Sequence, residues 1–350
     1  MESIPIIDLH EDISYYFIGG ASGLKFRLED FDEDLPGRHG DIPKYRRANV
    51  KIIMSSVFCL LSTIAPRVKK KLEKGYGFKI RAWTPKASPL TALQHIKVYY
   101  ELVKMHSKDL MLVLTEKDVH EALTGDKIGL LLSMEGTYML EDVYDLELYY
   151  NLGVRSIQLT WNFDTRYAAS CFSSKDYGLT GEGEELIEEA NRLGIIIDLA
   201  HASKQTYLDA AEVSKLPLIS SHGNPKRMHD TPRNLDDEMY EAIKKTKGVV
   251  GFMCDLVGGR HDLEAYANNI MYVYENFGPD TMAIGTDYFG LIDTTPPRGL
   301  EDITKIRKIF EILLEKGMKE SDIEKLAYKN ALRIILEHAK KWKNHSMQNE

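Results

Sequence analysis

The residues best placed to do chemistry stand at the ends of apolar runs. The first such run is Ile6-Ile7-Asp8-Leu9-His10-Glu11-Asp12. In a β-strand, side chains two apart share a face, so His10 and Asp12 project together. A neutral imidazole beside a carboxylate suits a divalent cation such as zinc. Taken alone, the stretch reads equally as a strand-end ion pair or a solvated turn. The pattern recurs, however. The run 128–136 closes on Glu135, 195–201 on His201, 216–222 on His222 and 281–287 on Asp287. Three of the 11 histidines therefore share such positions with three carboxylates. Burying these groups together costs several kcal/mol unless something compensates, and a divalent cation is the natural compensation.

One tetrahedral zinc needs fewer donors than this set offers. The set divides into His10 and Asp12 on one side and His201 and His222 on the other. Glu135 lies between them, one oxygen for each ion, at the roughly 3.5–4 Å spacing of two-metal hydrolases. Asp287 is left to position water or transfer a proton. Two cations lower the pKa of a shared water enough to supply hydroxide near neutral pH.

Distant residues can meet only if the elements carrying them share one rim. Apolar strand candidates fall at 6–12, 51–61, 128–136, 154–161, 195–201, 216–222, 249–254 and 281–287. Helical spacing separates most of them, over 90–107, 140–152, 183–193, 204–214, 236–246, 263–277, 301–316 and 320–341, with Ser203 as a helix cap. Strand–helix alternation implies a parallel sheet, and eight repetitions suggest closure into a single (β/α)8 TIM-type barrel, whose active sites gather at the strand C-termini. An open doubly wound sheet is the alternative, but no GxGxxG or GxxxxGK[ST] motif follows the first strand. Residues 14–50 read as a long loop after strand 1. Residues 64–90, with the basic run Arg67-Val68-Lys69-Lys70-Lys71-Leu72-Glu73-Lys74, read as an insertion after strand 2. That insertion is either a solvated excursion or a lid or subunit-contact arm. The barrel is expected over 1–341, with 342–350 as a frayed tail.

Composition narrows the function further. The 350 residues are 43% hydrophobic, ample for a large core, yet no stretch approaches the roughly 20 apolar residues of a membrane span. The opening residues lack a basic n-region and a cleavage site. Only Cys59, Cys171 and Cys254 are present, which excludes a disulfide framework and fits a reducing cytoplasm. A net charge of −8 argues against nucleic acid or an anionic membrane as partner.

Several segments in order along the chain resemble the membrane (renal) dipeptidase family of amidohydrolase-type barrels. They are Asp8-Leu9-His10-Glu11-Asp12, Ser133-Met134-Glu135-Gly136, the NRLG…DLxH stretch from Asn191 to Ser203, Ser220-Ser221-His222, Pro232-Arg233-Asn234-Leu235-Asp236-Asp237, Ile284-Gly285-Thr286-Asp287 and Gly299-Leu300-Glu301-Asp302. The resemblance spans about residues 4–338. It implies two Zn2+ ions, one on His10 and Asp12 and the other on His201 and His222, bridged by Glu135. It further implies a dipeptidase in which a metal-bridging hydroxide attacks the peptide carbonyl and Asp287 carries the proton. Arg233 would grip the substrate carboxylate, for which its planar fork is suited. Without the resemblance, Arg233 reads as a surface partner of Asp236 or Asp237. A homodimer is implied on the same ground.

The sequence departs from the family at three places. Trp161 stands where the family has a histidine that helps stabilise the tetrahedral intermediate. Phe289 replaces an aspartate after strand 8, and Tyr266-Ala267-Asn268-Asn269 replaces a histidine-rich helix segment. An indole N–H donates one hydrogen bond but carries no charge. Either Trp161 or Asn162 supplies the donor, or Trp161 walls the pocket and the substrate differs. Two other functions compete with a dipeptidase: hydrolysis of another small carboxylate-bearing amide such as an N-acyl amino acid, and a non-catalytic metal-stabilised barrel.

Overall fold

The structure is a computed structural model that describes residues 4–18, 27–58, 74, 89–291 and 294–342. Nine parallel strands carry the fold: β1 (Ile6–Glu11), β2 (Val50–Phe58), β3 (Leu110–Leu112), β4 (Ile128–Glu135), β5 (Val154–Gln158), β6 (Ile196–Asp198), β7 (Ile219–Gly223), β8 (Val249–Phe252) and β9 (Met282–Ile284). Eight of them close on themselves. β2 pairs with β4 from Ile52↔Gly129 to Phe58↔Glu135, and β9 returns to β1 through Ile284↔Asp8. This is a (β/α)8 TIM-type barrel, as the strand–helix alternation predicts. Every β1, β4 and β5 residue is buried. Such runs, buried on both faces, belong to strands covered by helices outside and packed side chains inside.

Four local findings differ from the sequence reading. β3 pairs only with residues 128–130 of β4 and is too short for its alternation to be legible. The expected loop after strand 1 contains two short helices, Ile13–Ile18 and Ile42–Ala48. Asp41 caps the second through Lys44 N (2.9 Å), and Asn49 ends it with a left-handed φ of 55°. β6 and β9 stop three residues short of His201 and Asp287, which lie on the following loops at φ 65° and 61°. At the C-terminus, Trp342 is buried and donates from Nε1 to Gly194 O (2.8 Å), so packing extends one residue past the expected boundary. The basic run at 67–74, apart from Lys74, and Cys59 lie outside the described residues, as do 343–350.

Trp342 seals the most unusual buried cation of the molecule. Arg155 on β5 is fully buried and donates to the carbonyls of Leu114, Tyr150 and Val154. Its guanidinium lies 4.1 Å from the Tyr150 ring centroid and 5.4 Å from that of Trp342. Burial pushes its pKa down to about 10. Carbonyl dipoles and ring faces replace its water. Among the described residues, no helix is long and apolar enough to cross a membrane.

Candidate active site

Strand geometry delivers the first half of the site. His10 Nε2 lies 3.2 Å from Asp12 Oδ2, which confirms that the two side chains share a face at the end of β1. Glu135, the last residue of β4, approaches from across the barrel. Its Oε2 stands 3.4 Å from His10 Nε2, and its Oε1 stands 3.4 Å from His201 Nε2. His222 on β7 completes the second half, with its Nε2 3.0 Å from His201 Nε2. Asp287 Oδ1 is 3.9 Å from His10 Nε2. All six side chains predicted to converge do so. Potential ligand atoms of His10, Asp12 and Glu135, and of Glu135, His201 and His222, fall within 4.8 Å of one another.

A second layer of side chains fixes this cluster. Asp8 Oδ1 accepts from His10 N (3.1 Å) and Thr286 N (2.9 Å), and its Oδ2 accepts from Thr286 Oγ1 (2.7 Å). Asp198 repeats the arrangement, with Oδ1 accepting from Ala200 N (3.0 Å) and Ser221 N (2.8 Å). Each aspartate ties its strand to the neighbouring one: Asp8 holds Thr286, just after β9 and before Asp287, and Asp198 holds Ser221 of β7, just before His222. Sequence reasoning missed both. The available signal was the repeated Ile-Ile-Asp-Leu at 6–9 and 196–199, a carboxylate inside an apolar strand. Ser56 Oγ donates to Glu135 Oε2 (3.0 Å), and Ser221 Oγ contacts His222 Nδ1 (2.8 Å). At Gly290, a Cβ would stand 2.2 Å from Asp12 Oδ2 and 2.5 Å from Asp287 Oδ1, so only glycine lets the backbone pass between those carboxylates.

The electrostatics follow from burial. Burial pushes His201 well below the ordinary imidazole value, and the charges of Arg233 and His10 act the same way. His222 is likewise held low by burial, His10 and Arg233. Burial is also the largest influence on His10, but there Glu135 and Asp12 prevail and raise it well above the ordinary value. Asp287 is pushed well up by burial, against the opposing charge of His10, while Asp12 and Glu135 add to the rise.

Three features fit a metal. His201 Nδ1 faces Asn162 Oδ1 at 2.7 Å, which assigns the proton to Nδ1 and leaves a bare lone pair on Nε2. That lone pair stands 3.0 Å from His222 Nε2, near the roughly 3.3 Å separation of two nitrogens on one tetrahedral zinc with ~2.0–2.1 Å bonds. Asp12 Oδ1 is buried and has no partner among the described residues. Imidazole with carboxylate is a donor set for zinc and its neighbours in the transition series.

The cluster opens into a cavity of about 190 Å³. Arg233 lines it, buried, and donates from Nη2 to His222 O (2.9 Å). Among the described residues no carboxylate forms an ion pair with Arg233, so neither Asp236 nor Asp237 is its partner; Asp236 instead caps the helix Asp237–Lys245. Trp161 lines the cavity with its ring centroid 5.2 Å from that of Phe58 and 6.1 Å from that of His201. Asn162 also lines it, with its carboxamide oxygen turned to His201.

A closed parallel barrel with buried imidazoles and carboxylates gathered at one end is the architecture of metal-dependent hydrolases. The chain belongs to the membrane dipeptidase family, peptidase family M19, whose sequence model matches residues 1–349. Membership makes it a peptide-bond hydrolase and implies a metal cofactor. Its relatives include an uncharacterised dipeptidase of Schizosaccharomyces pombe, 30% identical over 94% of this chain and 79% of that protein. Dipeptidase verJ of Clonostachys rogersoniana is 26% identical over 96% of this chain and 84% of its own length. The fold matches a metallopeptidase of Rhodobacter sphaeroides, solved with a phosphinate mimic of the dipeptide L-Ala-D-Ala, at a TM-score of 0.79 and 19% identity, covering 96% and 99% of the two chains. It also matches the probable dipeptidase PvdM of Pseudomonas aeruginosa, at a TM-score of 0.79 and 18% identity, covering 97% and 96%.

Proposed function

We propose that this chain is a zinc-dependent dipeptidase with a two-metal centre. The observation that carries this reading is the placement of Glu135, whose two oxygens each stand 3.4 Å from a different histidine, His10 and His201. His10 and Asp12 would hold one ion, His201 and His222 the other, and Glu135 would reach both. When bound, the ions supply an activated water and a Lewis acid. The remaining work falls to the protein's own groups. Arg233 binds the substrate's free carboxylate; buried and lacking an internal acid partner, it has its fork available for a bidentate contact. Asp287 takes the proton from the attacking water and returns it to the leaving amine, a role that suits a carboxyl whose affinity for protons burial has raised. Asn162 keeps His201 in the tautomer that presents Nε2. Trp161, Phe58 and Tyr15 wall the cavity and exclude water.

The test is metal content by mass spectrometry beside turnover of a dipeptide panel. Two zinc ions per chain with dipeptide turnover are expected; one ion or none in active protein would sink the two-metal reading. Chelation should abolish activity and lower the melting temperature, because cation binding to the folded state is lost. Trp161, in place of a charged donor, favours a second reading, hydrolysis of an N-acyl amino acid or similar amide, so these substrates belong in the panel. A cytoplasmic homodimer completes the proposal. The small number of cysteines supports the compartment, cell fractionation tests it, and light scattering tests the assembly.

A further inference from the structure

The active-site cavity, which Arg233 lines, shares part of its wall with a neighbouring, more open depression. Asp255 and Leu256 follow β8 and line the active-site cavity, and both also line a second cavity of about 490 Å³ together with His229, His261 and Thr294. The loop that carries them is firmly built. Asn224, Asn234 and Asn269 are buried, and their amide nitrogens donate to the carbonyls of Met253 (3.1 Å), Asp255 (2.6 Å), Leu256 (3.0 Å) and Val257 (2.8 Å). Leu256 and His261 take left-handed φ values of 48° and 51°. A Cβ at Gly258 would stand 2.7 Å from Met228 O. A loop so clamped, with costly backbone angles at non-glycine residues, is a preorganised wall.

Asp255 is the charged residue common to both linings and so marks the throat where the two spaces meet. It is half-buried, and Thr294 Oγ1 donates to its Oδ1 (3.2 Å). Among the described residues it forms no ion pair, which leaves a carboxylate oxygen free to meet a ligand. Its position sets the end of the substrate it would meet. Arg233 follows β7 and Asp255 follows β8, neighbouring strands, whereas of the aromatic residues Tyr15 follows β1, Phe58 ends β2 and Trp161 follows β5.

We propose that the throat admits the side chain of the substrate's C-terminal residue and that Asp255 selects a long cationic one, so that dipeptides ending in lysine or arginine are preferred. The inference rests on the reading of the site as a dipeptidase with Arg233 at the terminal carboxylate. An ammonium or guanidinium reaching past Arg233 would meet a half-buried carboxylate, where an ion pair is stronger than on an open surface. The second cavity supplies room for the four-carbon or guanidinium stem.

The experiment is kcat/KM for Ala-Lys, Ala-Arg, Ala-Leu, Ala-Glu and Ala-Gly on zinc-loaded enzyme, with the second residue in both configurations. Ala-Lys and Ala-Arg are expected to exceed Ala-Leu by about tenfold and Ala-Glu by more, with the preference shrinking as salt is raised. Asp255→Asn should collapse the lysine-to-leucine ratio towards one, and Asp255→Lys should invert the preference in favour of Ala-Glu. No selectivity for Lys or Arg in the wild-type protein would overturn the inference, with no variant needed. An equal loss on every dipeptide in Asp255→Asn would also overturn it, since Asp255 would then serve the substrate's amino terminus. Failure to cleave any dipeptide would instead refute the dipeptidase reading itself.

Discussion

At the scale of single residues, Glu135, which is buried, and Asp287, which is half-buried, are both carboxylates near His10, yet different outcomes are expected when each is made an amide. Glu135 faces both histidine pairs, so Glu135→Gln exchanges a shared anion for a neutral amide whose nitrogen cannot donate a lone pair to a cation. Purified Glu135→Gln is expected to lose metal, read by mass spectrometry; two full equivalents retained would remove the bridging role. Asp287 sits at the edge of the cluster, 3.9 Å from His10 Nε2. Asp287→Asn should keep both metals and lose turnover by roughly 10²–10⁴-fold, the range for removal of a proton-transfer group. Turnover within tenfold of wild type would take Asp287 out of that role. The six converging side chains were legible in the sequence because each closes an apolar run, and the run is what carries a strand to the rim. Asp8 and Asp198 were not legible, because a carboxylate inside such a run looks like an interruption until its distant partners, Thr286 and Ser221 on neighbouring strand ends, are known.

At the scale of elements, the helix Ile42–Ala48 shows how a segment without obvious pattern supports the site. Its Tyr45 is buried and donates to Glu11, the residue between His10 and Asp12. The helix is entered through Asp41, which accepts from Lys44 N and also pairs with the buried Lys44 ammonium. Asp41→Ala therefore removes a cap and leaves Lys44 with Asp34 as its acidic partner. A loss of about 1–3 kcal/mol is expected in urea unfolding, and a change below ~0.5 kcal/mol would show that the helix stands on its other contacts. This region reads as loop in the sequence because a seven-residue helix with two basic residues in its last turn has too few apolar positions to show a period. The strand ends were overextended for a related reason. His201 and Asp287 continue apolar runs, but pairing ends three residues before them and both take left-handed backbone, and φ is not written in hydrophobicity.

At the scale of the whole molecule, closure brings distant parts of the chain together. The last helix, Asn330–Ala339, is fastened to the loop before β7 by His338, whose Nε2 donates to Pro217 O (2.9 Å). Burial holds the His338 pKa at about 4, against 6.5 unperturbed. Below pH 6.5 the unfolded chain takes up a proton that the folded chain refuses until about pH 4. The folded state therefore loses stability as pH falls through that window, by up to ~3 kcal/mol from this residue. His39 and His95, also held at about 4, add to the slope. His338→Gln keeps a donor for Pro217 and removes the titration. Between pH 7.5 and 5, its unfolding free energy should fall by ~2 kcal/mol less than that of the wild type; identical slopes would exclude His338 as a source of acid sensitivity.

The Trp342 seal has a bearing on how the molecule is made. Its indole covers a guanidinium carried by β5 and bonds to the turn before β6, so a strand pair lacks this cover until the distant segment that carries Trp342 is translated. During vectorial synthesis the ribosome must release the chain through Trp342 before that face of the cation is shielded. A nascent chain stalled short of Trp342 should thus expose Arg155 to chaperones and proteases. A stop codon at 342 would make that transient exposure permanent.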